Sequence, residues 1–370
     1  MNILYHFRED NTYMTQWQRV HIFDELSRHN IHISIFNPSL YESISQANEK
    51  LIDVAKKGVF RYDVFMTAAG DTEFEIETIE RIREIGIPTL LICFDNLQAP
   101  YMHKKIASHF DLVWITSSET KKMFEQWGCR NIVFQPYAAN PFIFRPVWEK
   151  PIPTVGFVGT PYGSRKIILS RLMDAQIYCA VYSNAFASSE SVAPPARLSF
   201  RKKCIMMNKQ IRFDIGRKVL ISGWKNKILN RHAKIETYFS DHDYLIKEKS
   251  VPFEQMVSLY SNHTLSLNIT ELADTFLLKT PVYKLHLRTF EIPMSGGLAI
   301  TPYTPELATY FEDGEEIVFY RSMDELISKT KFYLEKRNEK IVSAMKRQAR
   351  KRAENEHTWM NRFRILDRLV

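Results

Sequence analysis

A single acidic residue, Glu291, stands among apolar residues near the end of a predicted helix and shortly before a glycine pair. The apolar residues from Leu285 to Met294 have helical spacing, Gly296 and Gly297 end the helix, and residues 298–300 form a short buried strand. A carboxylate in this position can accept hydrogen bonds from ligand hydroxyl groups such as those of a sugar. The structural alternative is a simple ion pair with Arg288, one helical turn earlier.

The turn after this strand carries polar residues that could bind an anion. Tyr303 and Thr304 precede Pro305, where the sequence predicts the start of another helix. The free N–H groups of that helix start would face the ligand that Glu291 holds. The segment therefore predicts a carboxylate acceptor and an anion site side by side.

A second cluster is the sequence GFVGTPYGSRK, which begins at Gly156. Gly159 and Gly163 allow the backbone to approach a ligand closely, and the helix that follows provides N–H groups for a phosphate. The cluster also contains Thr160, Arg165 and Lys166. Such a turn often only connects a strand to a helix, but together with Arg288, Tyr303 and Thr304 it predicts a diphosphate site.

The elements of the first 134 residues alternate between short apolar runs and amphipathic helices, which predicts a parallel sheet. Strands are predicted at 3–7, 32–36, 63–68, 89–94, 112–115 and 132–134, and helices at 16–28, 43–57, 73–84, 104–109 and 119–127. Ligands of a doubly wound sheet bind at the carboxyl ends of its strands. Asn11, Asp71 and Asp95 lie at those ends.

A proline-rich stretch, residues 135–153, predicts a linker, and a second alternation follows it. Its strands are predicted at 154–158, 178–181, near 219–221 and at 265–269, with a helix at 253–261. We predict an N-terminal domain at 1–150, a second domain at 151–336 with a basic insertion at about 190–234, and C-terminal helices at 337–370. The fold class is α/β, with two Rossmann-like halves.

Bulk composition supports this organisation and excludes several classes of protein. A chain of 370 residues exceeds what one core usually organises. The four cysteines lie far apart, and no histidines or Asp-x-Asp pair have metal-binding spacing, so we expect neither a disulfide framework nor a metal site. The start of the sequence has no signal peptide pattern, and no apolar run is long enough to span a membrane, which favours a cytoplasmic location.

Net charge is +8, and its source is one segment. Residues 197–234 contain twelve Lys or Arg and one acidic residue, interleaved with apolar side chains. Three interpretations stay open: a helical insertion that lies on an anionic membrane surface, a solvated helical face, and nucleic-acid binding, which is the least favoured. The first would make the protein peripheral at the inner face of the membrane.

Several of these segments resemble one family. Arg288, Phe290-Glu291-Ile292-Pro293, Gly296-Gly297, Thr304-Pro305-Glu306-Leu307 and 314–317 are similar to the signature of CgeB-type (spore maturation protein) glycosyltransferases, which are related to retaining family-four enzymes of the GT-B fold. Residues 260–268, 156–160, 357–359 and 361–362 match in the expected order, and 94–146 more loosely. The likeness covers most of the chain and is strongest in its second half.

The resemblance implies an architecture and a set of roles. It implies two Rossmann-like domains that face a central cleft, with C-terminal helices that cross back to the N-terminal domain. In family-four enzymes two glutamates separated by seven residues contact the donor; Glu291 matches the second, which holds the ribose, whereas Tyr283 stands at the first, so sugar recognition is unassigned. Asp95 and Asp71 would face the acceptor as candidate catalytic groups, although an Asp after a strand is equally often a turn residue.

The sequence thus predicts a metal-independent hexosyltransferase. Its donor would be a nucleotide sugar, with a UDP-sugar preferred to a GDP-sugar, and its acceptor would be a saccharide or a lipid-linked molecule. Transfer with retention is implied by the resemblance. The alternatives are a sugar-nucleotide 2-epimerase of the same architecture and a nonenzymatic protein that binds polyanions through the basic segment.

Overall fold

The computed structural model describes residues 1–9, 13–57, 62–94, 96–186, 199–230, 242–272 and 275–368. The chain divides into two compact units. The first unit consists of Met1–Asn140 together with Thr358–Val370, and the second of Pro141–His357. Each unit is built on one parallel sheet.

The sheet of the first unit contains six parallel strands in the order β2-β1-β3-β4-β5-β6. Its central strands are continuous apolar runs with every residue buried, because helices cover both faces of a sheet of this type. The strands are β1 Asn2–His6, β2 His32–Phe36, β3 Val64–Thr67, β4 Thr89–Cys93, β5 Leu112–Ile115 and β6 Ile132–Phe134.

The helices of the first unit follow the amphipathic pattern of the sequence. A π-helical turn, Arg19–Phe23, joins the first two into one continuous rod. The helix predicted at 104–109 is wrong, since only a 3-10 turn at Ala107–His109 forms there. The helices are α1 Tyr13–Gln18, α2 Asp24–Arg28, α3 Ile44–Lys57, α4 Ile76–Glu84 and α5 Lys121–Gln126.

The sheet of the second unit is also six-stranded and parallel, in the order β12-β11-β10-β7-β8-β9. The strands are β7 Ile152–Val158, β8 Cys179–Tyr182, β9 Leu245–Glu248, β10 His263–Leu267, β11 Ala299–Pro302 and β12 Val318–Tyr320. From β7 the chain proceeds toward one edge, and from β10 toward the other. The switch point where an open α/β sheet binds ligands is therefore at the carboxyl ends of β7 and β10.

Seven helices of the described residues belong to the second unit: α6 Ser164–Asp174, α7 Phe200–Ile211, α8 Asp214–Asn230, α9 Phe253–Asn262, α10 Leu287–Met294, α11 Met323–Leu334 and α12 Glu339–Glu356. The strand predicted near 219–221 is wrong, because these residues lie inside α8. A short apolar run such as Val219–Ile221 fits a strand and a helix equally well, and the long helical context decides. In the described part of the chain, every helix is too short or too polar to cross a bilayer.

The last segment of the chain returns to the first unit, as predicted. Its short helix α13, Trp359–Phe363, is capped by Thr358, whose side chain accepts a hydrogen bond from the Asn361 N–H. Trp359 is fully buried in an aromatic cluster with Trp17 and Trp114. Burial of rings of this size contributes much of the energy that holds the segment in place.

Candidate functional site

Two residues far apart in sequence meet at the switch point of the second sheet. Gly159 follows β7 with φ +142°, and Arg288 lies in the first turn of α10. A Cβ on residue 159 would lie 3.3 Å from the Arg288 Nη1 atom, so glycine lets the guanidinium group approach the backbone. The structure thus brings together two of the residues predicted to bind a diphosphate.

Arg165 is a second arginine at this position. It lies in the first turn of α6, only 6% exposed, and its Nη1 donates to the Thr160 carbonyl oxygen at 3.1 Å. Its guanidinium carbon lies 4.3 Å from the centroid of the Tyr162 ring. Burial and then the nearby charge of Arg288 lower the Arg165 pKa to about 10. The two cations are therefore close enough to repel each other, and an anion would relieve that repulsion.

The charges of the two arginines also lower the pKa of a buried histidine. Burial, followed by the charges of Lys284, Arg288 and Arg165, lowers the pKa of His286 well below 6.5. The Arg288 Nη1 atom is buried and has no hydrogen-bond partner among the described residues. Because a buried unpaired donor is costly, this atom favours a ligand acceptor such as a phosphate oxygen.

The glycine-rich turn adds two further predicted residues. Gly163 precedes α6 with φ +55°, a left-handed conformation that favours glycine. Lys166 lies half-buried in the first turn of α6, beside Arg165. Since α6 begins at Ser164, its first N–H groups lie at the carboxyl end of β7, the usual location for a bound phosphate.

The helix predicted near Pro305 is wrong. Only a 3-10 turn, Leu307–Thr309, forms there, and its first N–H groups are not free. Leu307 N donates to the Thr304 hydroxyl at 3.1 Å and Ala308 N to the Thr304 carbonyl at 3.0 Å. Tyr303 lies before this turn with the Arg321 guanidinium group 3.9 Å from its ring centroid. Tyr303 lines the cavity described below. The Thr304 hydroxyl caps the turn as it would cap a helix, but the chain forms only one 3-10 turn, so the expected helix is absent.

Glu291 lies in α10, one turn after Arg288, and is 1% exposed. On the same helix Thr289 accepts a hydrogen bond from the Asn268 side chain at 3.2 Å, which ties the helix to the residue that follows β10. The helix position is as predicted, with the carboxylate three residues after the arginine. The role of Glu291 toward a ribose stays a prediction.

The acceptor-side candidates belong to the first unit. Asp95 and Asn11 lie outside the described residues. Asn96 is fully buried, and its side-chain oxygen accepts from Thr116 N at 3.0 Å. Asp71 lies in a turn after β3, where its N–H donates to the Met102 carbonyl at 2.6 Å. The catalytic roles of Asp71 and Asp95 stay predictions.

The sequence prediction missed a cavity at the start of α6. Its volume is 320 Å³, and its lining includes Ser164, Glu271, Tyr283, Tyr303 and Tyr320. Ser164 Oγ donates to Glu271 Oε2 at 2.7 Å. Glu271 follows β10 in a polar stretch with no motif, and its pairing with Tyr283 is a backbone contact between two loop segments. No local pattern in the sequence could have predicted that contact.

Comparison with known proteins gives the site its context. The family model described as "Glycosyl transferase-like" matches residues 202–368. A comparison with curated proteins found no match. Solved structures similar to the whole chain include Alr3699/HepE from Anabaena in complex with UDP-glucose (10% identity, TM-score 0.56) and the sucrose-phosphate synthase tll1590 from Thermosynechococcus elongatus (12%, 0.56). Each alignment covers 100% of this chain and 98% of the other.

A glycosyltransferase from Rickettsia africae is similar over the same shares of the two chains, at 10% identity and a TM-score of 0.58. These likenesses confirm the predicted fold class: the chain has the GT-B fold, with two parallel six-stranded sheets. The family match in the second half supports the predicted glycosyltransferase class. The finer resemblance to CgeB-type enzymes stays a prediction.

Proposed function

We propose that this protein is a glycosyltransferase that moves a sugar from a nucleotide-sugar donor to a saccharide or lipid-linked acceptor. The observation that carries the proposal is the pair Arg165 and Arg288 at the carboxyl ends of β7 and β10. One guanidinium nitrogen of Arg288 is buried and has no hydrogen-bond partner within the described ranges of the chain. A nucleotide diphosphate matches this site in charge and in hydrogen-bonding capacity. Similar structures of this fold are complexes with UDP-glucose and with UDP, which favours a UDP-sugar over a GDP-sugar.

The chemistry follows from where charge develops. When the glycosidic carbon separates from the diphosphate, negative charge grows on the phosphate oxygen that leaves. Fixed cations at Arg165, Arg288 and Lys166, together with the N–H groups at the start of α6, stabilise that charge without reorganising. In this scheme no divalent metal is required, because the cations of the protein neutralise the leaving group.

The other predicted residues have defined places in this scheme. Glu291 accepts hydrogen bonds from the ribose hydroxyls, and Gly159, Thr160 and Gly163 allow the backbone to approach the diphosphate. Tyr303 and Thr304 complete the wall of the donor site. Asp71 and Asp95 remain the acceptor-side candidates in the first unit, as orienting groups or as the base. Transfer with retention, as the resemblance to family-four enzymes implies, is part of the proposal.

The direct test is nucleotide binding by calorimetry. We expect the wild-type protein to bind UDP or GDP and to be stabilised by it, since a ligand that binds only the folded state raises the free energy of unfolding. Transfer to an acceptor would then be measured with the nucleotide sugar that binds best. Absence of binding to every nucleoside diphosphate would refute the proposal, and consumption of donor without any acceptor would favour an epimerase.

A variant at Glu291 tests the ribose contact. We expect Glu291→Ala to weaken nucleotide binding by about tenfold or more, because a hydrogen bond to a charged group is worth about 1.5–3 kcal/mol. The matched control is Glu254→Ala, which removes an exposed carboxylate from the first turn of α9. Unchanged nucleotide affinity in a folded Glu291→Ala protein would contradict the assignment.

The basic segment favours a membrane partner within the same proposal. In α7 and α8, the exposed cations include Arg201, Lys203, Lys225 and Lys227. Large apolar side chains are exposed among them, with Phe200 at 82% and Trp224, Ile228, Ile211 and Ile205 at 50% or more. Exposed aromatic and aliphatic groups beside clustered cations are the pattern of a helix pair that lies on an anionic bilayer. A lipid-linked acceptor would be reached at that surface.

A vesicle assay tests the membrane contact. We expect wild-type protein to co-sediment with phosphatidylglycerol vesicles and not with phosphatidylcholine vesicles, and salt to weaken the binding. The double variant Lys225→Glu, Lys227→Glu should weaken it by about thirtyfold or more, since each cation near the surface contributes about 1 kcal/mol. The double variant Lys340→Glu, Lys351→Glu, at exposed sites of α12, is the matched control. Equal affinity for both vesicle types would contradict selectivity for an anionic surface, and binding to neither, or only to duplex DNA, would contradict a membrane role.

A further inference from the structure

We propose that the 320 Å³ cavity lined by Ser164 and Glu271 binds the transferred sugar of the donor, and that Glu271 is the carboxylate that recognises the sugar hydroxyls. The inference rests on the proposed function and deepens it. It gives the sugar a binding residue at the place where the resemblance leaves one unassigned, because Tyr283 replaces the expected glutamate.

Backbone pairing places Glu271 beside Tyr283. The two residues form an antiparallel bridge, flanked by hydrogen bonds from Leu272 N to Val282 O and from Lys284 N to Thr270 O, each 2.8 Å. In this arrangement residues 271 and 283 are a pair without mutual hydrogen bonds, the type in which opposite side chains come closest. The carboxylate of Glu271 therefore reaches the space that a glutamate at position 283 would otherwise occupy.

The lining of the cavity has the polar groups that a sugar requires. Glu271 Oε2 is held by the Ser164 hydroxyl at 2.7 Å, which fixes the carboxylate. The Tyr320 hydroxyl is buried and has no hydrogen-bond partner among the described residues. Tyr320 lines the cavity and is 7% exposed, so a ligand hydroxyl in the cavity would give its O–H a partner. A carboxylate acceptor and a phenolic donor on one wall match the alternating hydroxyls of a sugar ring.

The electrostatic interactions of these groups agree with their common place in the lining of the cavity. Burial raises the pKa of Tyr320 well above 10.0, and the charge of Glu271 and then Tyr283 raise it further. Burial also raises the pKa of Glu271, while the hydrogen bond from Ser164 and the charge of Arg165 oppose that rise. Glu271 thus lies within electrostatic reach both of the cavity tyrosines and of the arginine that we assign to the diphosphate. A sugar joined to that diphosphate would enter the cavity directly.

Size and lining also match a small ring. The cavity is at the lower end of the range for ligand pockets, about 300–1,000 Å³. Phe276, Tyr283 and Tyr303 contribute aromatic rings to its lining, and rings of this kind pack against the apolar face of a sugar. A nucleobase is the competing occupant of the same chemistry class, and the experiment below separates the two.

The experiment compares a sugar nucleotide with its own diphosphate in wild type and in Glu271→Gln. UDP-glucose, UDP-galactose, UDP-N-acetylglucosamine and GDP-mannose are first screened by calorimetry for the one that wild type binds best relative to its diphosphate. We expect Glu271→Gln to weaken binding of that sugar nucleotide by about tenfold or more and to leave the diphosphate within about twofold. Equal weakening of both ligands would place the nucleobase or phosphate at Glu271 and overturn the inference.

Other outcomes are also decisive. If wild type binds diphosphates but no sugar nucleotide more tightly, the sugar site is wrong while the proposed donor site stands. If it binds neither, both fail. Tyr320→Phe should lower affinity for the sugar nucleotide severalfold without loss of stability, because the deleted hydroxyl has no hydrogen-bond partner among the residues that the structure describes. Glu149→Gln, an exposed carboxylate of the same unit, is the matched control, and thermal unfolding with and without UDP verifies the fold of every variant.

Discussion

Arg288→Met is expected to lower affinity for a nucleoside diphosphate by about a hundredfold, because it removes charge-assisted hydrogen bonds worth about 1.5–3 kcal/mol each. The same change is expected to keep or raise the free energy of unfolding. The Nη1 atom that it removes is buried and has no hydrogen-bond partner in the described part of the chain, and the guanidinium group lies near Arg165, which repels it. The Arg288 guanidinium carbon lies 5.5 Å from the centroid of the Phe157 ring, and methionine places an apolar side chain of similar length against that ring. Loss of binding without loss of stability is therefore the expected signature.

Calorimetric titration with UDP and urea denaturation without ligand are the two measurements. Arg171→Met, which removes an exposed arginine from α6, is the matched control. It should change neither the affinity for UDP nor the free energy of unfolding strongly. A folded Arg288→Met protein with wild-type affinity would remove the diphosphate site from the proposal. A large loss of stability would instead show that Arg288 has a structural role and stabilises the folded protein.

This opposition between stability and binding is a general property of preorganised sites. Cations that wait for an anionic ligand repel each other and lie partly dehydrated when the ligand is absent, as the lowered pKa of Arg165 shows. Their cost is recovered only on binding. The glycine at 159 belongs to the same arrangement, because any Cβ there would meet the Arg288 guanidinium group.

Much of the fold could be predicted because the strands are buried parallel ones. The bounds predicted for β2, β5 and β6 are those of the structure. For β5 the reason is that a buried, continuous apolar run between turn residues has few other interpretations, whereas β2 and β6 are edge strands and are only partly buried. The same logic fails at 219–221, where an apolar run lies within α8. The return of the C-terminal segment to the first unit came from the resemblance, because no local pattern encodes which core a terminal helix joins.

Among the residues of the candidate site, some could also be predicted from local spacing and others could not. Gly159, Gly163 and Arg165 follow a strand, and strand ends are where ligands bind, so their location could be predicted from spacing. Glu271 could not, because its relation to Tyr283 depends on register between two irregular segments. The prediction of a helix near Pro305 was wrong although its local signals are present: a proline stands before an acidic residue and the Thr304 hydroxyl caps the Leu307 N–H, yet only one 3-10 turn forms.

Glu25 in α2 gives a pH-dependent test of how the C-terminal segment is held. This carboxylate is fully buried and accepts hydrogen bonds from Trp359 N at 3.2 Å and Met360 N at 2.7 Å. Burial raises its pKa to about 7 from 4.5, although the two N–H groups oppose that rise. Between those two pH values the folded protein keeps a proton that the unfolded chain has lost. Its contribution to stability is therefore complete below pH 4.5 and is lost as pH rises through 7.

Glu25→Gln removes this proton linkage and keeps the shape of the side chain. Since each pKa unit corresponds to about 1.36 kcal/mol, we expect the stability of the variant relative to wild type to improve by roughly 2–3 kcal/mol between pH 5 and pH 8. Urea denaturation monitored by tryptophan fluorescence measures this difference in the free energy of unfolding, because Trp17, Trp114 and Trp359 all lie in the first unit. Glu49→Gln, at an exposed position of α3, controls for the loss of one charge. A difference between Glu25→Gln and wild type that stays constant with pH would show that Glu25 does not change its protonation in this range, and that its two N–H partners outweigh its burial.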